Sequence, residues 1–238
     1  MQLEKLKDGL VVSCYASFDI NPEMDNPDTM AHVATSCVVG GACAIRTNLE
    51  NVRAIKSVVQ VPVIGIKKIY KDGDTSSSDF RITPTLKEVE ALLKAGADAI
   101  AIDGTIRDRY DNYSTKEFIS EIKRLFDAFI ITDISTVEEG VAAWEYGTDM
   151  VGTTLSGYTP YSKNPIRFGT LPSPDPDYEI IAELRSANVE HIVAEGRITN
   201  GLKMKKALDA GAYCVVVGTS ITEPKKIVKT ILQDAQLI

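Results

Sequence analysis

Histidine is nearly absent: His32 and His191 are the only two in 238 residues. The first falls in a helical pattern and the second at the start of an apolar run, so neither a histidine-rich metal cluster nor a Ser-His-Asp triad is expected. The four cysteines, Cys14, Cys37, Cys43 and Cys214, are scattered without C-x-x-C spacing, which argues against structural zinc and redox motifs and for small buried residues. No G-x-G-x-x-G follows an early strand and no G-x-x-x-x-G-K-[ST] occurs. Chemistry without a cofactor or metal is therefore expected. No apolar run reaches the ~18 residues of a membrane span, and the start, Met1-Gln2-Leu3-Glu4-Lys5-Leu6-Lys7, has no secretory apolar core. A cytoplasmic location is the expectation, with no membrane partner. The formal charge of −7 argues against a general nucleic-acid binder, while an anionic substrate stays open where positive charge is local.

What is present is an ordinary globular composition, 44% hydrophobic and 25% charged. Five apolar runs end on a charged or hydroxyl residue: Ala42-Cys43-Ala44-Ile45-Arg46, Pro62-Val63-Ile64-Gly65-Ile66-Lys67-Lys68, Asp98-Ala99-Ile100-Ala101-Ile102-Asp103, Phe129-Ile130-Ile131-Thr132-Asp133 and His191-Ile192-Val193-Ala194-Glu195. Adding similar runs predicts strands near residues 10–14, 42–46, 62–67, 98–103, 128–133, 149–154, 191–195 and 214–218. Their lack of polar alternation suits a parallel sheet buried on both faces. Between them lie helical patterns such as Thr85 to Lys94, and four glycine junctions, at Gly41, Gly96, Gly147 and Gly211, read as helix stop followed by strand start. Eight β-α units in 238 residues predict a single (β/α)8 TIM barrel spanning residues 1–238, with an open doubly wound sheet as the alternative. Two long connections, Tyr70 to Asp79 and roughly Ser156 to Asp177, would then sit at the catalytic mouth.

Three signals mark that mouth. Gly196-Arg197 follows strand seven and Gly218-Thr219 follows strand eight, where glycine-rich turns in phosphosugar barrels hold phosphate. Lys67 and Lys68 end the third run, and alternation sends only one of them inward. Glu195 ends the seventh, where partial loss of water would raise its pKa into a useful range for proton transfer. Arg46 and Asp133 complete a ring of strand-end charges.

These segments, with Gly152-Thr153-Thr154-Leu155-Ser156-Gly157-Tyr158-Thr159 and Ala194-Glu195-Gly196-Arg197-Ile198 the most specific among them, closely resemble the N-acetylmannosamine-6-phosphate 2-epimerase family of bacterial sialic acid and aminosugar catabolism. The resemblance covers nearly the whole chain. It implies a cofactor-independent isomerase that interconverts N-acetylmannosamine 6-phosphate and N-acetylglucosamine 6-phosphate by proton removal and return at C2. By position it implies catalytic roles for Lys68, rather than Lys67, and Glu195. Substrate contacts fall on Arg46, Asp133, Tyr15 and Thr153, with phosphate at Gly196, Arg197, Gly218 and Thr219. It also implies a homodimer. Two positions depart from the family pattern: Tyr15 stands where glutamine is usual, and Glu223 where an arginine usually helps hold phosphate. Another phosphosugar-barrel isomerase, or a sugar-phosphate-binding barrel with altered specificity or lost catalysis, are the alternatives they leave open.

Overall fold

In the computed structural model, residues 3–15, 24, 26–73, 79–163, 165 and 175–238 are described. Portions of both long connections, 74–78 in the first and 164 and 166–174 in the second, lie outside the described residues. Ten strands occur among those that are described: β1 (Leu10–Cys14), β2 (Ala44–Asn48), β3 (Val63–Ile66), β4 (Lys68–Tyr70), β5 (Phe80–Ile82), β6 (Ala99–Asp103), β7 (Ile130–Asp133), β8 (Met150–Gly152), β9 (Ile192–Glu195) and β10 (Cys214–Val217). The helices are α1 (Pro27–Val39), α2 (Leu49–Val58), α3 (Leu86–Ala95), α4 (Thr115–Phe126), α5 (Val137–Glu145), α6 (Tyr178–Ser186), α7 (Gly201–Asp209), α8 (Thr219–Thr222) and α9 (Pro224–Asp234).

Eight strands close into an all-parallel barrel in the order β1-β10-β9-β8-β7-β6-β3-β2. This is the (β/α)8 barrel, not the open sheet. The glycines at all four predicted junctions, Gly41, Gly96, Gly147 and Gly211, take positive φ, the left-handed turn by which a helix ends without a Cβ clash. Helix starts are equally local: Thr85, Ser114 and Thr136 each form a capping box with the glutamate three residues on.

The barrel interior holds Val11, Ala44, Ile64, Ala101, Ile131, Val193 and Val216, with Leu6 packed among them ahead of β1. Outward-facing residues such as Val12, Ile45, Ile100 and Ile130 meet the helices instead. His32 is exposed on α1, and His191 bonds the Asp149 carbonyl at 3.2 Å between the rings of Trp144 and Tyr213. His191 precedes β9, at the end of the barrel opposite the mouth. Cys14 and Cys214 are buried, Cys37 and Cys43 partly so. Among the described residues no helix is long and apolar enough to cross a membrane.

Two sequence expectations need correction. The second strand begins at Ala44 and continues past Arg46 to Asn48, because the Thr47 hydroxyl bonds the Cys14 carbonyl at 2.7 Å and Asn48 caps α2. Arg46 thus lies within the barrel wall rather than at a strand end. The third connection is not wholly irregular: β4 and β5 pair antiparallel, with Lys68 opposite Ile82 and Tyr70 opposite Phe80. Lys68 therefore begins a hairpin that leaves the barrel.

Candidate active site

Among the described residues Arg46 is the largest fully buried side chain. Its guanidinium reaches from β2 to β7 and meets Asp133 through Nη2–Oδ2 at 2.5 Å and Nη1–Oδ1 at 3.3 Å. Nη1 also lies 3.1 Å from Glu195 Oε2. Burial would push the arginine pKa down, but the two carboxylates outweigh it and drive it up, so Arg46 is a fixed cation. A single arginine serves two carboxylates there.

The Glu195 side chain keeps 17% of its surface open, while that of Asp133 has none. Desolvation raises the Glu195 pKa above its ordinary value; Arg46 opposes this, Asp133 adds to it, and the Thr154 bond and the charge of Lys68 pull it back. The net shift is upward. Thr154 Oγ1 lies 2.6 Å from Asp133 Oδ1 and 3.0 Å from Glu195 Oε2. A hydroxyl has one proton and cannot give it to both. The hydroxyl therefore donates to one carboxylate at a time, with the shorter contact to Asp133. A carboxyl whose pKa is raised by lost hydration is suited to take up and release a proton.

The two lysines separate as alternation requires. Lys67 pairs outward with Glu50, whereas the Lys68 ammonium sits 4.6 Å from the centre of the Tyr15 ring and 4.8 Å from that of Phe80, and its charge is felt at Glu195. The structure thus gathers Arg46, Asp133, Glu195, Lys68 and Tyr15 at one mouth. Thr153 is placed differently: its hydroxyl lies 3.1 Å from both the backbone N and the carbonyl of Glu195, so it fixes the strand rather than the carboxyl. Sequence reasoning missed Thr154, although it belongs to the same specific segment, and missed Phe80, which carries no local signal.

Gly196 and Arg197 follow β9 with φ of 118° and 61°. The Arg197 guanidinium is engaged with the Asp175 carbonyl at 3.0 Å and the Ser156 carbonyl at 2.7 Å, tying the loop after β8 to the loop after β9. On the adjacent strand, Gly218 approaches Ser13 so closely that a Cβ would lie 3.2 Å from that of Ser13. Thr219 opens α8, and Glu223, buried, lies between α8 and α9. Among the described residues no cluster of three or more His, Cys, Asp or Glu is arranged to hold a metal.

Residues 30–236 match the sequence model of the family described as "Putative N-acetylmannosamine-6-phosphate epimerase". This chain belongs to that family. The epimerase-family assignment agrees with individual relatives, all named for the 2-epimerase. One from Caldanaerobacter subterraneus subsp. tengcongensis is 43% identical over 95% of this chain and 91% of its own, and one from Cutibacterium acnes is 42% identical over 92% and 90%. The solved N-acetylmannosamine-6-phosphate 2-epimerase of Clostridium perfringens superposes with a TM-score of 0.85 at 38% identity, covering 98% of this chain and 96% of that one. A thiamine phosphate pyrophosphorylase from Pyrococcus furiosus, 14% identical with a TM-score of 0.58, shares the fold alone.

Proposed function

We propose that this protein is a C2 epimerase interconverting N-acetylmannosamine 6-phosphate and N-acetylglucosamine 6-phosphate, with Lys68 and Glu195 as the proton-transfer groups. The observation that carries the reading is the Glu195 carboxyl, held by Arg46 and Thr154 with a raised pKa at the mouth that Lys68 also reaches. Once the sugar ring opens, the proton on C2 lies α to the aldehyde carbonyl and becomes acidic. Inversion needs removal from one face and return to the other, which two groups accomplish. Arg46, a permanent cation, stabilises the oxygen on which negative charge develops, and Asp133 and Thr154 hold it and Glu195 in place. Tyr15 offers a hydroxyl to the sugar.

Phosphate binding is assigned to the backbone of Gly196, Arg197, Gly218 and Thr219, in neighbouring loops after β9 and β10. With the Arg197 side chain engaged elsewhere, its main chain is the part offered to the anion. Membership of the family favours epimerisation over the other phosphosugar activities and over a non-catalytic binder. Incubation with N-acetylmannosamine 6-phosphate after chelator treatment, followed by chromatographic separation of the epimers, tests the reading. Conversion that requires the 6-phosphate is expected; no conversion of either sugar contradicts it.

The reading extends to a cytoplasmic homodimer. Support for the dimer comes from α9, which buries none of its residues and leaves Val228 and Ile231 exposed. A groove of about 500 Å³ lined by His32, Val33, Ser36, Cys37 and Ile221 opens beside α1 and α8. A second copy of the chain is the occupant proposed for these apolar faces.

A further inference from the structure

Thr83 is fully buried and holds φ at +47°. That conformation is unfavourable for any β-branched residue and doubly so ahead of a proline, here Pro84, which biases its predecessor toward extended backbone. A residue needed only to turn the chain would be glycine or asparagine. The hydrogen bonds explain the threonine. Its N–H donates to the Lys67 carbonyl at 2.6 Å, and its Oγ1 accepts from the Lys67 N–H at 3.1 Å.

Both backbone polar groups of Lys67 are thus bound by one residue, at the point where β3 ends and β4 leaves the barrel. The Lys67 carbonyl belongs to the peptide unit that leads into Lys68, so its plane is set by Thr83. Lys67 then projects to Glu50 and Lys68 to the opposite side. Beyond this clamp the β4–β5 pairing brings Phe80 back beneath the ammonium. Thr83 itself is anchored from behind: Pro84 accepts from Arg109 at 2.6 Å, and Thr85 begins α3 with a capping box.

We propose that Thr83 is a positioning residue for Lys68, its strained backbone and hydroxyl together directing the lysine into the mouth. The proposal rests on the assignment of Lys68 as a proton-transfer group. Backbone strain of this kind persists where the surrounding structure over-determines it, and it clusters at functional sites.

The test compares kcat, KM and thermal stability of Thr83→Ser, Thr83→Val, Thr83→Gly and Lys68→Met in the epimerisation of N-acetylmannosamine 6-phosphate. Thr83→Ser keeps the oxygen and is expected within about threefold of the parent kcat. Thr83→Gly accepts the positive φ but lacks the oxygen that holds the Lys67 N–H; it should fold, with a lowered melting temperature, and lose roughly 10- to 100-fold in kcat with KM little changed, the signature of misplaced chemistry rather than lost binding. Thr83→Val should lose a similar factor if it folds. Parent-like kcat in Thr83→Gly overturns the proposal, because a merely structural turn is relieved by glycine. Parent-like turnover in Lys68→Met instead overturns the underlying assignment.

Discussion

Glu195 ends a run of apolar residues, and a carboxyl there loses more hydration than Arg46 and Thr154 return. An acid held above its ordinary value contributes its full stability below the unfolded value of about 4.5 and loses it as pH rises through the raised one. Ionised Glu195 is therefore a cost to the fold at alkaline pH. Glu195→Gln should be nearly inactive, and the melting temperature of the variant minus that of the parent should be larger near about pH 8 than near about pH 5; a pH-independent gap would sink this account of the carboxyl. Lys68→Ala should lower turnover by roughly 10²–10⁴-fold with an unchanged circular dichroism spectrum, and near-parent turnover removes the assignment. Asp133→Asn leaves the buried guanidinium with one carboxylate fewer and should cost about 3–5 kcal/mol in denaturant unfolding; a loss below about 1 kcal/mol would mean that Glu195 and Thr154 suffice to hold Arg46. The charged members of the site were legible because a charge closing an apolar run of sequence is rare and has few structural uses. The division of labour between Thr153 and Thr154 was not, since adjacent strand-end residues face opposite ways and only the register decides which hydroxyl meets the carboxyls.

Strand ends set the precision of these placements. Gly152 closes β8 opposite Asp133, and a Cβ added there would lie 2.5 Å from Asp133 Oδ1. Gly152→Ala should displace the carboxylate, lower stability by about 1–3 kcal/mol and reduce kcat more than KM; wild-type kinetics would show that Asp133 can yield without consequence. The barrel strands were readable within one or two residues at most ends, because unbroken Val-Ile-Ala runs and left-handed glycines are local signals. The β4–β5 hairpin was not. Its strands are three residues each, too short for periodicity, and their pairing depends on a partner beyond an intervening loop. The same non-locality hid Phe80 and Thr83, whose roles arise only when the hairpin folds back on Lys68.

At the scale of the whole molecule, the alternation of eight strands and helices carried the fold class, while closure over an open sheet is decided by β1 pairing with both β10 and β2. Assembly is less legible. The dimer was expected from the family resemblance alone, since nothing local marks Val228 and Ile231 of α9 as uncovered until the barrel has formed. Val228→Asp together with Ile231→Lys should convert a dimer to a monomer in sedimentation velocity; a parent chain that sediments as a monomer removes the dimer proposal.

The central claim, proton transfer at C2 by two groups at the barrel mouth, is tested most directly by proton NMR of the protein with N-acetylmannosamine 6-phosphate in deuterated water without added metal. Appearance of N-acetylglucosamine 6-phosphate carrying deuterium at C2 is the predicted result. Binding with neither epimer formation nor exchange at C2 would contradict it.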